Sequence, residues 1–216
     1  SPITAFRPGP NVLCRYQHGD VIPAQELMKR IASSPQHEIH CSGGPVQINQ
    51  QHYQGDVSLL KGQGDWLPVV SLDLETYVAS VVGAEMPSSW HGEALKAQAV
   101  AARSYAMAHL ARPATTAYHL GDTTRWQVFA GEQSTTPASR SATRETRGII
   151  LSYSGGIVES LYASNAQVSA EAHGHLGASM SQSGAQQLAH QGLPFNAILG
   201  RYYAGASLAR LTWHDQ

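Results

Sequence analysis

The stretch that most constrains this chain runs from Leu72 to Leu110, where two helical patterns meet at a proline stop. In LDLETYVASVVGAE, the residues Leu72, Leu74, Tyr77, Val78, Val81 and Val82 make a broad apolar stripe at helical spacing. Pro87 ends the pattern, because a residue that precedes proline is pushed out of the α region. Glu85 is therefore expected at the end of a buried helix. Ser88 or Ser89 can cap a second helix from about His91 to Leu110, HGEALKAQAVAARSYAMAHL. Its alanines let other elements approach the backbone closely, so the fold has to be built around a packed central helix.

The rest of the chain supplies the layers. Residues 1–20 read as an extended arm or edge strand, and Pro23 followed by AQELMKRIASS reads as a short helix with Leu27, Met28 and Ile31 on one face. Residues 37–49 read as two short strands around the turn Ser42-Gly43-Gly44, and Tyr53–Leu60 with Asp65–Val70 read as a hairpin. After the helices, residues 112–139 lack a period and read as a long loop expected to touch substrate. Residues 148–164 read as a hairpin turning at Ser154-Gly155-Gly156, and 165–180 as a second irregular loop. Two short helices follow, at about 181–190 and 194–203, and then a last strand at 207–212. The expectation is a mixed α+β domain, with antiparallel β-hairpins packed around the central Ala-rich helix. Residues 1–50 form a β-rich extension at one edge.

Composition narrows the function. Charged residues make up 13% of the chain, about half the roughly 25% of an average protein, and a formal net charge of −1 offers no basic footprint for nucleic acid or anionic membrane. Such a surface suits an uncharged polar polymer and is equally compatible with an ordinary soluble surface. No run of eighteen apolar residues is present, so no membrane span is expected. The sequence opens at Ser1 with neither a charged n-region nor an apolar h-region, so any signal or anchor the protein has is expected to lie outside it. Cys14 and Cys41 are compatible both with a disulfide and with two buried free thiols.

Among residues able to carry chemistry, Glu85 stands out: partial desolvation at the end of an apolar helix raises a carboxyl pKa and makes it a proton donor. It can equally pair with a basic residue of the next helix. Lys96 and Arg103 share a face of that helix, where they could hold Glu85, bind substrate oxygens or form interhelical salt bridges. Gln98 and Tyr105 share another face at the same spacing and are also compatible with ordinary packing. His173-Gly174-His175 lacks a third ligand at a convincing spacing, so no metal or other cofactor is expected. Serine-hydrolase, zinc-protease and nucleotide-binding motifs are absent from the sequence.

LETYVASVVGAEMPSSWHGEALKAQAVAARSY, from Leu74 to Tyr105, closely resembles the SpoIID/LytB domain, whose hallmark is an AEMP…EALKAQAVAARTYA run. Further matches follow in order: Asp122-Thr123-Thr124 with Gln127-Val128-Phe129, Ala142-Thr143-Arg144 with Thr146-Arg147-Gly148, Tyr162 with Ser164-Asn165, and Met180-Ser181-Gln182 with Gly184-Ala185. The resemblance implies that residues 51–216 are a SpoIID-like catalytic domain, periplasmic or extracellular and associated with the cell wall. It implies a lytic transglycosylase that cuts peptidoglycan glycan strands, with Glu85 as catalytic acid and base and Lys96, Gln98, Arg103, Tyr105, Gln127, Ser164, Asn165 and Gln182 in the substrate groove.

Two rival readings stay open beside it: a non-catalytic glycan-binding module that recruits or activates a cell-wall amidase, and a hydrolase that uses water. The sequence also departs from the family. Zinc-binding members carry Cys and His where this chain has Leu120, Arg125 and Trp126, and the family's His before Ser-Asn and Gly-Gly-His after it are replaced here by Ala163 and by Ala166, Gln167 and Val168.

Overall fold

The computed structural model describes residues 3–17, 19–33, 38–61, 65–113, 115–121, 127–174 and 178–212. The turn expected at 61–64 and the stretch Asp122–Trp126 therefore lie largely outside the described residues, as does His175. The chain divides into two compact units, Ser1–Asp73 with Gly131–Gln133, and Leu74–Ala130 with Ser134–Gln216.

The first unit is mainly β. In chain order it contains β1 (Phe6–Pro8), β2 (Leu13–Tyr16), β3 (Val21–Ile22), α1 (Leu27–Ser33), β4 (Ile39–Ser42), β5 (Val46–Ile48), β6 (Gln51–Tyr53), β7 (Asp56–Lys61) and β8 (Trp66–Ser71). Five strands form an antiparallel sheet in the order β3-β2-β4-β7-β8, and β1-β5-β6 form a second. The two strands expected around Ser42-Gly43-Gly44 exist, but they belong to different sheets. Pro68 sits in β8, an edge strand, where a missing N–H costs no ladder bond. Strand alternation sends Cys14, Ile39, Cys41, Val57 and Leu59 inward, where they meet Leu27 and Ile31 of α1. Cys14 and Cys41 lie directly opposite each other on β2 and β4 and form a disulfide, which closes the question the sequence left open.

The second unit is built on helices: α2 (Leu74–Glu85), α3 (Gly92–Ala111), α4 (Pro137–Glu145), α5 (Ala166–His173), α6 (Gln182–His190) and α7 (Phe195–Tyr202). Its strands are β9 (Ile149–Tyr153), β10 (Gly156–Ile157), β11 (Leu161–Ala163), β12 (Ser179–Ser181) and β13 (Ser207–Arg210). The Ala-rich helix α3 is indeed central, and Ala94, Ala97, Ala99, Ala101 and Ala102 are fully buried. It is enclosed by α2, α4, α6 and α7 and by β9 rather than mainly by hairpins. Small hydroxyls tie it to the strands: Ser104 Oγ accepts from the Leu151 N–H at 2.8 Å, and Ser160 Oγ donates to the Ala101 carbonyl at 2.7 Å.

Several local expectations need correction. His91, not Ser88 or Ser89, caps α3, its ring accepting from the Glu93 N–H. Helix α4 starts inside the stretch read as loop, because Thr136 and Ser139 form a reciprocal capping box around Pro137. Residues 165–180 are not wholly irregular: Asn165 accepts from the Val168 N–H and caps α5. The hairpin expected over 148–164 is short, joining only β9 and β10, because β11 leaves to pair in parallel with β12.

Candidate functional site

Glu85 is the last residue of α2, and buried Met86 follows it, so its carboxylate is partly buried where the helix stops. Three donors from three other segments converge on it. The Val128 N–H reaches Oε1 at 3.0 Å, the Tyr162 hydroxyl of β11 reaches Oε1 at 3.4 Å, and the Gln182 amide at the start of α6 reaches Oε2 at 3.2 Å. Gln182 also donates to Gln98 Oε1 at 3.4 Å. Gln98 is 0% exposed, and its Nε2 is without a partner among the described residues.

A shell of tyrosines and glutamines supports this centre. The Tyr77 hydroxyl donates to Gln127 Oε1 at 3.0 Å, and the Gln127 amide donates to the Ala102 carbonyl at 3.1 Å. Gln127 also bonds Tyr162. Burial pushes the Tyr162 phenol well above its ordinary value, and the nearby Glu85 charge and Tyr77 push it the same way. Burial likewise raises Tyr77, assisted by Tyr105 and Glu85. Both phenols are thus held neutral as proton-bearing donors. The β11 end of the site is anchored from behind, since the Tyr203 hydroxyl donates to the Leu161 carbonyl at 2.6 Å.

Of the residues singled out in the sequence, Gln98, Gln127 and Gln182 join this network with Glu85. Tyr105 is buried beside it, its ring 4.5 Å from that of His109. Ser164 and Asn165 lie on the exposed rim, where the Ser164 carbonyl accepts from the Ser183 N–H and the Asn165 side chain caps α5.

Lys96 and Arg103 are placed differently. Lys96 Nζ binds Glu93 at 2.9 Å and Glu145 at 2.6 Å. Arg103 is 0% exposed and grips both oxygens of Glu75, at 2.9 and 2.7 Å, while also donating to the carbonyls of Ile149 and Thr143. Both cations thus make interhelical or structural ion pairs, the ordinary alternative the sequence allowed.

Sequence reasoning left Tyr77 and the Val128 N–H out of the site and used Tyr162 only as a point of resemblance. Tyr77 did carry a signal, since it lies eight residues before Glu85 on one helix face. The Val128 amide carried none, because a backbone donor leaves no trace in side-chain identity.

Among the described residues, no helix is long and apolar enough to cross a membrane, and no group of three or more His, Cys, Asp and Glu residues could hold a metal ion. His173 Nδ1 instead meets Ser179 Oγ at 2.9 Å.

The chain is similar to an uncharacterized protein of Brachyspira hyodysenteriae, with 34% identity over 116 residues, 53% of this chain and 32% of that protein. It is also similar to a Bacillus subtilis protein named Amidase enhancer, with 40% identity over 85 residues, 39% of this chain and 11% of that protein. The chain thus spans a third or less of these relatives. Residues 62–153 match the model of the SpoIID family, described as Stage II sporulation protein, and cover the helix pair, Glu85 and the Gln127-Val128 contact. By that match the segment of this chain that holds the helix pair and Glu85 is similar to the SpoIID family.

Proposed function

We propose that this protein is a lytic transglycosylase of the bacterial cell wall, cutting the bond between MurNAc and GlcNAc in peptidoglycan with Glu85 as both acid and base. The observation that carries the reading is the set of three donors, from three separate segments, converging on one carboxylate. In the first step the Glu85 carboxyl gives its proton to the glycosidic oxygen, the bond to C1 breaks, and the leaving sugar departs as an alcohol. The carboxylate left behind is stabilised by the Val128 N–H, Tyr162 and Gln182. It then takes the proton of the C6 hydroxyl as that oxygen attacks C1, which closes a 1,6-anhydro ring and restores the acid. One carboxyl suffices because the nucleophile is intramolecular, whereas glycosidases that use water or a covalent intermediate usually need two.

The SpoIID-family match over residues 62–153, the name of the Bacillus subtilis relative and the low charge of the chain support a cell-wall-related role. The Cys14–Cys41 disulfide fits a periplasmic or extracellular location, where such bonds persist. The relative's name also favours a second reading, a glycan-binding module that activates an amidase without cutting the strand itself.

The test is to incubate the protein and its Glu85→Gln variant with intact and amidase-stripped peptidoglycan and to analyse soluble products by mass spectrometry. Anhydro-ended products from the wild type alone are expected. Replacing the acid should lower the rate by about 100-fold or more. Reducing ends would replace this mechanism with hydrolysis. Glycan retention without cleavage, together with faster turnover by an added amidase, would replace it with the activating role.

A further inference from the structure

Two buried glutamines of α3 and of the segment after it stand in the network around Glu85, and they are held in opposite ways. Gln127 is bonded at both ends of its amide: its oxygen accepts from the Tyr77 hydroxyl at 3.0 Å, and its nitrogen donates to the Ala102 carbonyl at 3.1 Å. Turning that amide over would set its oxygen against the Ala102 carbonyl, so its direction is fixed. Gln98 is different. It is 0% exposed, its Oε1 accepts from the Gln182 amide at 3.4 Å, and its Nε2 has no partner among the described residues. Reversing the Gln98 amide therefore breaks no bond at its nitrogen, and the bond at its oxygen re-forms in the opposite sense whenever Gln182 reverses too.

Gln182 joins Gln98 to the glutamate. Its single nitrogen donates to Glu85 Oε2 at 3.2 Å and to Gln98 Oε1 at 3.4 Å, a direction that suits a carboxylate. Glu85 Oε1 already accepts from the Val128 N–H and the Tyr162 hydroxyl. The proton of the acid form therefore belongs on Oε2, opposite Gln182. With Gln182 still pointing its N–H groups at Oε2, that proton would meet a donor rather than an acceptor, an arrangement that buried polar groups avoid.

We infer that Gln98 is a positioning residue, which lets the Gln182 amide reverse as Glu85 gains and loses its proton. In the carboxylate form Gln182 donates to both Glu85 Oε2 and Gln98 Oε1, the arrangement of this structure. In the acid form the Glu85 O–H donates to the Gln182 oxygen, and Gln98, reversed, donates its own N–H to the same oxygen. No proton crosses the amides and no covalent bond in them changes; each turns about its last side-chain torsion. A carboxyl that gives its proton to the glycosidic oxygen and then takes one from the C6 hydroxyl is thereby supported in both states, whereas a glutamine fixed as Gln127 is would favour one of them. The inference rests on the transglycosylase reading above.

The test compares side-chain amide signals of the ¹⁵N-labelled full chain in the wild type and in Glu85→Gln. That substitution puts an N–H where the acid form has its O–H, because the Val128 and Tyr162 donors draw the new carbonyl to the Oε1 place. Relative to the wild type at the alkaline end of a pH titration, the Gln98 and Gln182 amides should shift together in the variant. They should shift by more than the Gln127 amide, which senses the same loss of charge but is fixed in direction. A Gln98 shift no larger than that of Gln127 would overturn the inference. The companion measurement is Gln98→Met acting on amidase-stripped peptidoglycan, where kcat should fall about tenfold with KM unchanged, roughly the worth of one hydrogen bond. An unchanged kcat, or a KM that rises alone as it would for a substrate contact, overturns the positioning role and leaves the transglycosylase reading standing. A wild type that cuts no glycan overturns that reading and the role with it. Should Gln98→Met melt early, the amide comparison, which keeps Gln98 in place, decides.

Discussion

Arg103 shows how one residue type supports opposite readings until its surroundings are known. A guanidinium placed on a helix face near an acidic residue could serve substrate binding, yet here it is buried, forked onto Glu75 and bonded to the carbonyls of Ala99, Ile149 and Thr143. Arg103→Ala should lower unfolding free energy by about 3–5 kcal/mol, because it removes the guanidinium from a partly buried ion pair. Adding Glu75→Gln should recover part of that loss. Urea unfolding of the three variants checks it, and an Arg103→Ala protein that melts normally but no longer binds glycan would mean a substrate role instead. Glu85 was legible in the sequence because proline termination and an apolar stripe are local facts. Its donors were not, since Val128, Tyr162 and Gln182 are 43, 77 and 97 residues away in the chain.

At the scale of elements, Gly83 marks where α2 meets the segment entering α4. An added Cβ would lie 2.0 Å from the Ser134 carbonyl oxygen, a backbone atom. That segment is also tied to α2, since Ser134 Oγ donates to the Ser80 carbonyl at 2.9 Å. Gly83→Ala gains about 1 kcal/mol of helix propensity, but overpacking against backbone costs about 1–3 kcal/mol. The expected outcome is a lower melting temperature, and an unchanged or higher one would show that the Ser134 segment yields without strain. The helix pair α2 and α3 was readable because its period extends over many residues. Helices α4 and α5 were missed as elements although their caps, Thr136 and Asn165, stand in the sequence. Short helices lean on caps and tertiary support more than on periodicity.

At the scale of the whole molecule, stability should respond to acid and to reduction. Burial pushes the Glu93 carboxyl up, but hydrogen bonds from Lys96 and the Phe195 N–H, with the Lys96 charge, outweigh it and hold the group below its ordinary 4.5. The Lys96 hydrogen bond, then that of Ser141, depresses Glu145 as well. A carboxyl depressed by folding contributes stability that is fully present above its unfolded pKa and is lost as pH falls through its folded one. The melting temperature should therefore fall as pH drops below about 4.5, and Lys96→Met should flatten that fall. A melting curve of Lys96→Met parallel to the wild type from pH 7 to 3 would place the acid sensitivity elsewhere. The Cys14–Cys41 bond closes a separation of 27 residues. Replacing both cysteines with serine should cost about 2–4 kcal/mol, measured by thermal unfolding under non-reducing conditions.

The sequence by itself determined the helix pair, the stop at Met86-Pro87, the placement of Glu85 at a helix end and the β character of the first unit. All of these follow from spacing within a few residues: apolar repeats, proline geometry and strand alternation. Only the tertiary structure decided that β11 pairs in parallel with β12, that Lys96 and Arg103 turn to Glu145 and Glu75, and that Val128, Tyr162 and Gln182 converge on Glu85. Those outcomes depend on which distant segments meet. A buried charge or polar group takes whichever partner the packing brings within reach, because leaving it unpaired costs more than any local preference can offset.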